Sequence, residues 1–269
     1  MQIVHGLDAL EASGSPAFVV VGVFDGLHLG HAYLLEHLVR EAAARSARPV
    51  VITFDHHPDE VLTGTAPPLL CDPGERIERL AAAGVETTIV VHFDQALRET
   101  PYDRFVDRLE AGTPLAGFLM TPDAAFGYER AGTPASLGAL GATRGWDVIV
   151  VPAFEVDGRP VRSTQIRSAI AEGDLDAASR LMGRPHAVVG EAAGEGEGAG
   201  EGSALRFALP VALPPDGRYA VRVGGGSPEV AGAADDEGEP AEAEVAGGAL
   251  TVAGPARDGR TRVAFTARR

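Results

Sequence analysis

Apolar residues follow two rhythms in the first two thirds of this chain. Short continuous apolar runs occupy residues 18–24, 49–54, 87–93, 117–121 and 147–152. Runs of that length, rich in Val and Ile, predict strands buried on both faces. Between them the apolar positions switch to helical spacing. Leu34, Leu35, Leu38 and Val39 predict a helix beginning at His31. Asp72-Pro73 opens a second helix through Ile77 and Leu80, with Asp as N-cap and Pro at the first position, and Gly84 stops it. Thr100-Pro101 opens a third through Phe105, Val106 and Leu109, closed by Gly112, and a fourth covers residues 135–142. Strands alternating with helices predict a parallel, doubly wound α/β sheet of the Rossmann-like kind. A short hairpin at 154–161 turns at Asp157-Gly158, and a helix opens near 162–167 with Ser163 or Thr164 as N-cap. Asp174 caps another helix, which ends at Gly183-Arg184-Pro185.

The pattern changes at Gly190. Residues 190–203 are a Gly/Glu-rich stretch with the composition of a flexible, solvated connector. Beyond it, candidate strands at 205–213, 218–223, 242–253 and 260–266 are separated by Gly, Pro and acidic residues. They predict a small all-β, barrel-like unit. The acidic cluster at 235–239 reads as a charged surface loop. The expected organisation is an α/β domain over 1–186, then a linker and small β domain over 187–269. The linker implies that the two halves do not share a continuous core.

Charge narrows the partners. The net charge of −15 and pI near 4.9 argue against duplex nucleic acid or an anionic membrane surface. All of the positive charge is carried by arginine, because the chain has no lysine. Cys71 is the single cysteine, which excludes a disulfide within the chain and a cysteine-rich metal site, and fits a reducing compartment. The N-terminal residues lack a basic region followed by an apolar core, so no signal peptide is expected. No apolar stretch is long enough to span a bilayer. The resulting expectation is a cytoplasmic protein.

The chemistry concentrates at residues 22–31, GVFDGLHLGH. Gly22, Gly26 and Gly30 permit a tight turn between a strand and a helix and let a ligand approach the backbone. The free N–H groups and positive dipole end of the following helix favour an anion. His28 and His31 flank that point, and imidazoles donate hydrogen bonds and can carry charge near neutral pH. Phosphate is the anion this arrangement suits. There is no G-K-[ST], so this is not the lysine-containing P-loop. The His-x-Gly-His pattern resembles the signature of the nucleotidyltransferase superfamily.

Four blocks in order extend the resemblance: GVFDGLHLGH at 22–31, TFDHHP at 53–58, FGYERAG at 126–132, and VRSTQIR at 161–167 followed by LMGRPH at 181–186. In these the chain resembles the bacterial bifunctional riboflavin kinase/FAD synthetase family, specifically its FMN adenylyltransferase module. The resemblance implies a nucleotidyltransferase α/β domain joined to a β-barrel, and transfer of AMP from ATP to FMN. It implies His28, His31 and Arg167 as catalytic phosphate contacts. Gly22, Val23, Phe24, Asp25, Gly30, Asp123, Ser163 and Thr164 would bind ATP, and Phe54, His57 and Phe126 the flavin. Mg²⁺ would ride on the nucleotide, with no protein ligand assigned to it. The family usually has Pro at His56, Gly at Thr121, Phe at Ala124 and Ser at Arg162. After Pro185 neither the Gly-Arg-rich strand nor the Pro-Thr-Ala-Asn segment of the family's kinase module occurs, which implies a degenerate kinase barrel. Two other readings stay open: a nucleotidyltransferase with a different phosphorylated acceptor, and a non-catalytic flavin- or nucleotide-binding relative.

Overall fold

Five of the six strands of the parallel sheet lie where the apolar runs put them. The computed structural model describes residues 1–9, 14–192, 202–225, 238–254 and 259–269. In chain order these strands and helices are β1 (Gln2–His5), β2 (Ala17–Val21), α1 (Leu29–Ala44), β3 (Arg48–Phe54), α2 (Pro58–Thr63), α3 (Pro73–Ala82), β4 (Thr87–Val91), α4 (Gln95–Arg98), α5 (Tyr102–Gly112), β5 (Leu115–Met120), α6 (Pro134–Arg144) and β6 (Asp147–Val150). The sheet order is β1-β4-β3-β2-β5-β6, and every pairing is parallel. The strand that sequence patterning missed is β1. It lies on the sheet edge and buries only Val4, so no apolar run marks it.

The chain divides into two compact units, and the division does not follow the sequence linearly. The first comprises residues 1–24, 30–67 and 80–154; the second comprises 25–29, 68–79 and 155–269. In the first unit, Val19, Val50, Ile52, Ile89 and Phe118 from the strands share one core with Phe105, Val106 and Leu109 of α5 and Leu137 of α6. The helix ends are capped as their residues dictate. Asp94 accepts from the Leu97 N–H at the start of α4. Thr133 and Ser136 exchange hydrogen bonds around Pro134 at the start of α6. Helix α1 begins at Leu29, two residues earlier than apolar spacing indicates.

The second unit adds β7 (Glu155–Val156), β8 (Arg159–Pro160), α7 (Ser163–Glu172), α8 (Leu175–Met182), β9 (Ala187–Ala192), β10 (Gly202–Arg206), β11 (Gly217–Gly225), β12 (Glu239–Ala246), β13 (Ala249–Ala253) and β14 (Gly259–Arg268). Strands β9–β14 close into an antiparallel barrel in the order β10-β13-β12-β11-β14-β9. Its core includes Tyr219, Val221, Val245, Leu250, Val252, Val263 and Phe265. The single strand expected over 242–253 is two strands, because Gly247 and Gly248 both take positive φ and reverse the chain there. The 154–161 hairpin forms as β7–β8 with Asp157 and Gly158 at its turn.

Two expectations about the Gly190 region need correction. Gly190, Glu191 and Ala192 belong to β9, and Gly202 and Ser203 begin β10, so the connector is shorter than composition suggests. Residues 193–201, the centre of the expected linker, and 235–237 of the expected acidic loop lie outside the described residues. The core also crosses Gly190: Leu175 of α8 packs with the barrel residues Val188, Tyr219 and Phe265. Charge crosses it too. Glu75 is 2 % exposed and faces Arg79 at 2.7 Å and Arg262 of β14 at 3.5 Å. Arg260 binds Asp72 at 2.6 Å.

A buried carboxylate with two arginine partners makes a sharp stability test. Glu75→Ala should destabilise the second unit by about 3–5 kcal/mol, because it strands buried cationic charge. Urea unfolding of the full chain measures this. A loss below about 1 kcal/mol would mean that the pair behaves like an exposed ion pair.

Candidate active site

The glycine-rich turn runs across the boundary between the units: the chain leaves the first after Phe24 and re-enters it at Gly30. Each unit therefore holds its own part of the predicted site.

In the first unit the C-terminal ends of β2, β3 and β5 open onto a cavity of about 630 Å³. That size suits a drug-sized or cofactor-sized molecule. Phe54, Phe93, Phe105, Phe118 and Phe126 supply aromatic walls, and Gly22 and Val23 line the cavity as well. His57 also lines it, and its Nδ1 accepts from the Asp59 N–H to cap α2. The sequence-predicted residues Gly22, Val23, Phe54, His57 and Phe126 thus share one cavity. Asp123 does not line it. It is exposed, accepts from the Thr121 hydroxyl at 2.9 Å through its carboxylate, and accepts from Arg130 through its carbonyl. Thr121 and Arg130 do line the cavity, which puts Asp123 behind its wall. Phe24 is buried, with φ of 54°, and its ring packs on His31 with centroids 5.1 Å apart. It positions His31 rather than presenting an aromatic face to the cavity.

In the second unit Asp25 is the hub. Its carboxylate is 3 % exposed and accepts from the Leu70 N–H at 3.0 and 3.1 Å. It also accepts from Arg167 Nη2 at 2.5 Å. The Asp25 carbonyl accepts from the Ser163 hydroxyl at 3.1 Å. Arg167 Nε donates to the Pro68 carbonyl at 2.8 Å, which leaves Nη1 without a partner among the described residues. Arg162, not Ser163 or Thr164, is the N-cap of α7. Ser163 is therefore the first helical residue and Thr164 the second, exposed on the same turn. Gly30 is the second residue of α1 and half-buried.

His28 is buried, and its pKa is lowered to about 4 by burial first and then by the neighbouring Arg184 and Arg167. In the folded protein at neutral pH this ring is uncharged. Of the two properties an imidazole offers here, hydrogen bonding and charge near neutral pH, burial leaves His28 the first, and the positive charge beside it belongs to arginines.

Arg184 is a residue that sequence reasoning quoted without giving it a role. It is buried, and donates to the Gly26 carbonyl at 2.6 Å and the Leu27 carbonyl at 3.1 Å. No local signal marks it, because the carbonyls it holds lie 157 and 158 positions away in the chain. The Asp25 carboxylate likewise has partners the sequence does not show, Leu70 and Arg167, 45 and 142 positions away.

The family model described as FAD synthetase matches residues 10–165. The chain belongs to the FAD synthetase family. Among curated proteins it is similar to the bifunctional riboflavin kinase/FMN adenylyltransferase of Pseudomonas fluorescens, 32% identical over 191 residues, covering 71% of this chain and 61% of that protein. It is similar to the protein of the same description from Haemophilus influenzae, 32% identical over 192 residues, covering 71% and 62%. The chain thus spans less than two thirds of the length of these relatives. A crystal structure from Streptococcus pneumoniae, described as a macrolide-efflux protein, matches with a TM-score of 0.80 at 23% identity, covering 100% of this chain and 90% of the other. At that identity the likeness shows a common fold. Among the described residues no helix is long and apolar enough to cross a membrane.

Burial of neutral histidines predicts how this unit responds to acid. His186 is fully buried and its pKa is also lowered to about 4, by burial against a hydrogen bond to the Ala212 carbonyl that favours the charged form. Both rings have an ordinary pKa of 6.5 when unfolded. Between pH 6.5 and 4 the unfolded chain binds two protons that the folded chain does not, so stability is complete above that window and falls as pH drops through it. From pH 7.5 to pH 5 the two rings should remove about 4 kcal/mol in total. Urea midpoints at the two pH values test this, with His186→Phe expected to remove about half of the pH dependence.

Proposed function

We propose that this protein is an FMN adenylyltransferase: it transfers AMP from ATP to FMN, giving FAD and pyrophosphate. The observation that carries the reading is the aromatic cavity at the strand C-termini, lined by the same Gly22-Val23 segment that begins the His-x-Gly-His turn. A cavity walled by Phe54, Phe93, Phe118 and Phe126 suits a flat tricyclic ring. The phosphate-binding character of the adjoining turn suits the reacting end of the same substrate.

The chemistry asks for positioned donors rather than a protein nucleophile. An oxygen of the FMN phosphate attacks the α-phosphorus of ATP, the bond to the bridging oxygen breaks, and pyrophosphate departs with the electron pair. Negative charge grows on the equatorial oxygens and on the leaving group. His31, on the first turn of α1 and braced by Phe24, is the donor assigned to the α-phosphate. His28 is assigned beside it as a neutral donor, whose affinity for a proton rises when phosphate charge arrives. Arg167 offers Nη1 to the departing phosphates while Asp25 holds the other arm of its fork. Ser163, Thr164 and the free N–H groups of α7 add donors, and the backbone of Gly22, Val23, Asp25 and Gly30 completes the ATP contacts. His57, Phe54 and Phe126 are assigned to the flavin.

Magnesium enters as part of the nucleotide. Among the described residues the one grouping of three His, Cys, Asp or Glu side chains able to share an ion is Asp55, His56 and His92. Two of its three donors are imidazoles, whereas Mg²⁺ takes oxygen ligands. The carboxylate of Asp25 is committed to Leu70 and Arg167. Mg²⁺ is therefore assigned to the ATP phosphates. The reaction chemistry is assigned to residues 1–186, the barrel is assigned no riboflavin kinase activity, and the protein is assigned to the cytoplasm.

One observation keeps a second acceptor in view. Thr121 and Ala124, where the related family usually has Gly and Phe, both line the cavity. The second reading is adenylyl transfer to another phosphorylated molecule with a flat ring.

The full chain incubated with ATP, Mg²⁺ and FMN should yield FAD and pyrophosphate, and riboflavin in place of FMN should yield nothing. Chromatography of the products decides both points. FMN formed from riboflavin would overturn the inactive-kinase reading, and inert FMN would favour the second acceptor. His31→Ala should lower turnover about 10²–10³-fold in a folded protein. Arg167→Lys should not restore full turnover, because a point charge cannot hold both Asp25 and phosphate as a fork does. Wild-type kinetics in either variant would remove that residue from the reaction.

A further inference from the structure

The ends of β3 and β4 bring together a second set of polar side chains that adenylyl transfer does not use. The two strands pair in parallel with Phe54 opposite Val91. The next residues, Asp55 and His92, therefore emerge side by side. The Asp55 N–H continues the ladder to the Val91 carbonyl at 3.1 Å. His92 Nδ1 donates to Asp55 Oδ2 at 2.7 Å, and His56 Nδ1 lies 3.1 Å from Asp55 Oδ1. The two imidazole rings stand edge to face, 5.7 Å apart. One ligand atom from each of the three residues lies within 4.8 Å of the others.

We propose that Asp55, His56 and His92 form a binding site for a divalent transition-metal cation of the zinc, cobalt or nickel class. The donor set is two imidazole nitrogens and one carboxylate oxygen, which selects such ions over Mg²⁺ and Ca²⁺. Three protein ligands leave room for water at the fourth position. The carboxylate is oriented in advance: Oδ1 accepts from the backbone N–H of His56 at 2.7 Å and of Phe93 at 3.2 Å. Fixing a ligand in this way is what hydrogen bonds around a metal site do. Tetrahedral coordination with bonds near 2.1 Å sets donor atoms ~3.4 Å apart. His56 is already close to that separation from Asp55. His92, which approaches the other oxygen of the same carboxylate, would withdraw by roughly 0.7 Å, and its side chain is 65% exposed and can swing. An ion there would clamp the ends of two strands, next to the cavity residues Phe54, His57 and Phe93.

The test uses untagged full chain stripped with chelator, because the chain has eight histidines and a tag would mask the result. Calorimetric titration with Zn²⁺ should give one site per chain, and Co²⁺ should give the visible absorption of a tetrahedral complex. His92→Ala and His56→Ala should each weaken Zn²⁺ binding at least about tenfold. His37→Ala, at a half-buried position of α1 outside this cluster, should leave it unchanged. Circular dichroism checks that each variant is folded. Absence of Zn²⁺ binding at roughly 100 μM, where a three-ligand site should be occupied, would overturn the proposal. So would wild-type affinity in His92→Ala, or loss of binding in His37→Ala alone.

Discussion

The buried carboxylate of Asp25 is the constraint on which the His-x-Gly-His turn depends. A carboxylate that is 3 % exposed is costly to bury unless its lone pairs are filled. Here they are filled by the Leu70 N–H and by Arg167. These bonds tie residue 25 to the 68–70 segment and to α7. Ser163 and Arg184 add further ties through the carbonyls of Asp25, Gly26 and Leu27. The turn needs this support because its backbone is unusual. Phe24 and Leu27, which carry side chains, have φ of 54° and 39°, and Gly26 has φ of 81°. Non-glycine residues hold such conformations only where their surroundings over-determine them, and they cluster at functional sites.

The same support sets the electrostatics. In a chain of net charge −15, positive charge can be concentrated only locally. Around Asp25 and His28 it is carried by Arg184 and Arg167, which add to burial in keeping His28 neutral. Arginine suits this task better than lysine would. Its planar fork lets Arg167 bind Asp25 with one nitrogen and Pro68 with another while a third stays available. A lysine at that position could not hold that geometry on three sides with one charged nitrogen.

Periodicity made the sheet legible because β2 to β5 are largely buried on both faces and read as continuous apolar runs, and β6, although an edge strand with exposed ends, is apolar too. The edge strand β1 escaped for the converse reason: only Val4 is buried. The turn at 22–31 was legible because glycine spacing and paired histidines are local signals. What local signals could not show is which distant residues complete it. Leu70 reaches Asp25 across 45 positions and Arg184 reaches Gly26 across 158. The barrel was legible as short strands separated by Gly and Pro. Its boundary was misread because Gly190, Glu191 and Ala192 look like linker by composition. Gly190 lies in β9, where a Cβ would meet the Arg206 carbonyl at 2.8 Å, so close strand packing, not flexibility, calls for glycine there.

The departures from the related family's usual residues fall outside the bonds that hold the turn. Leu70 and Arg167 hold the Asp25 carboxylate, Arg184 holds the carbonyls of Gly26 and Leu27, and none of the four departing positions supplies one of these bonds. Thr121 and Ala124 are in the cavity wall. His56 faces Asp55 on the strand ends, and Arg162 caps α7 through its backbone N–H to Gln165. The four departures therefore alter a cavity wall, a strand end and a helix cap, and leave the partners of the buried carboxylate in place. A lost partner of Asp25 costs buried charge and strains the turn together. A methyl group in place of an aromatic ring at residue 124 only enlarges a cavity already open to solvent. This difference in cost is a physical reason for the turn around Asp25 to tolerate substitution less than the cavity wall at residues 121 and 124.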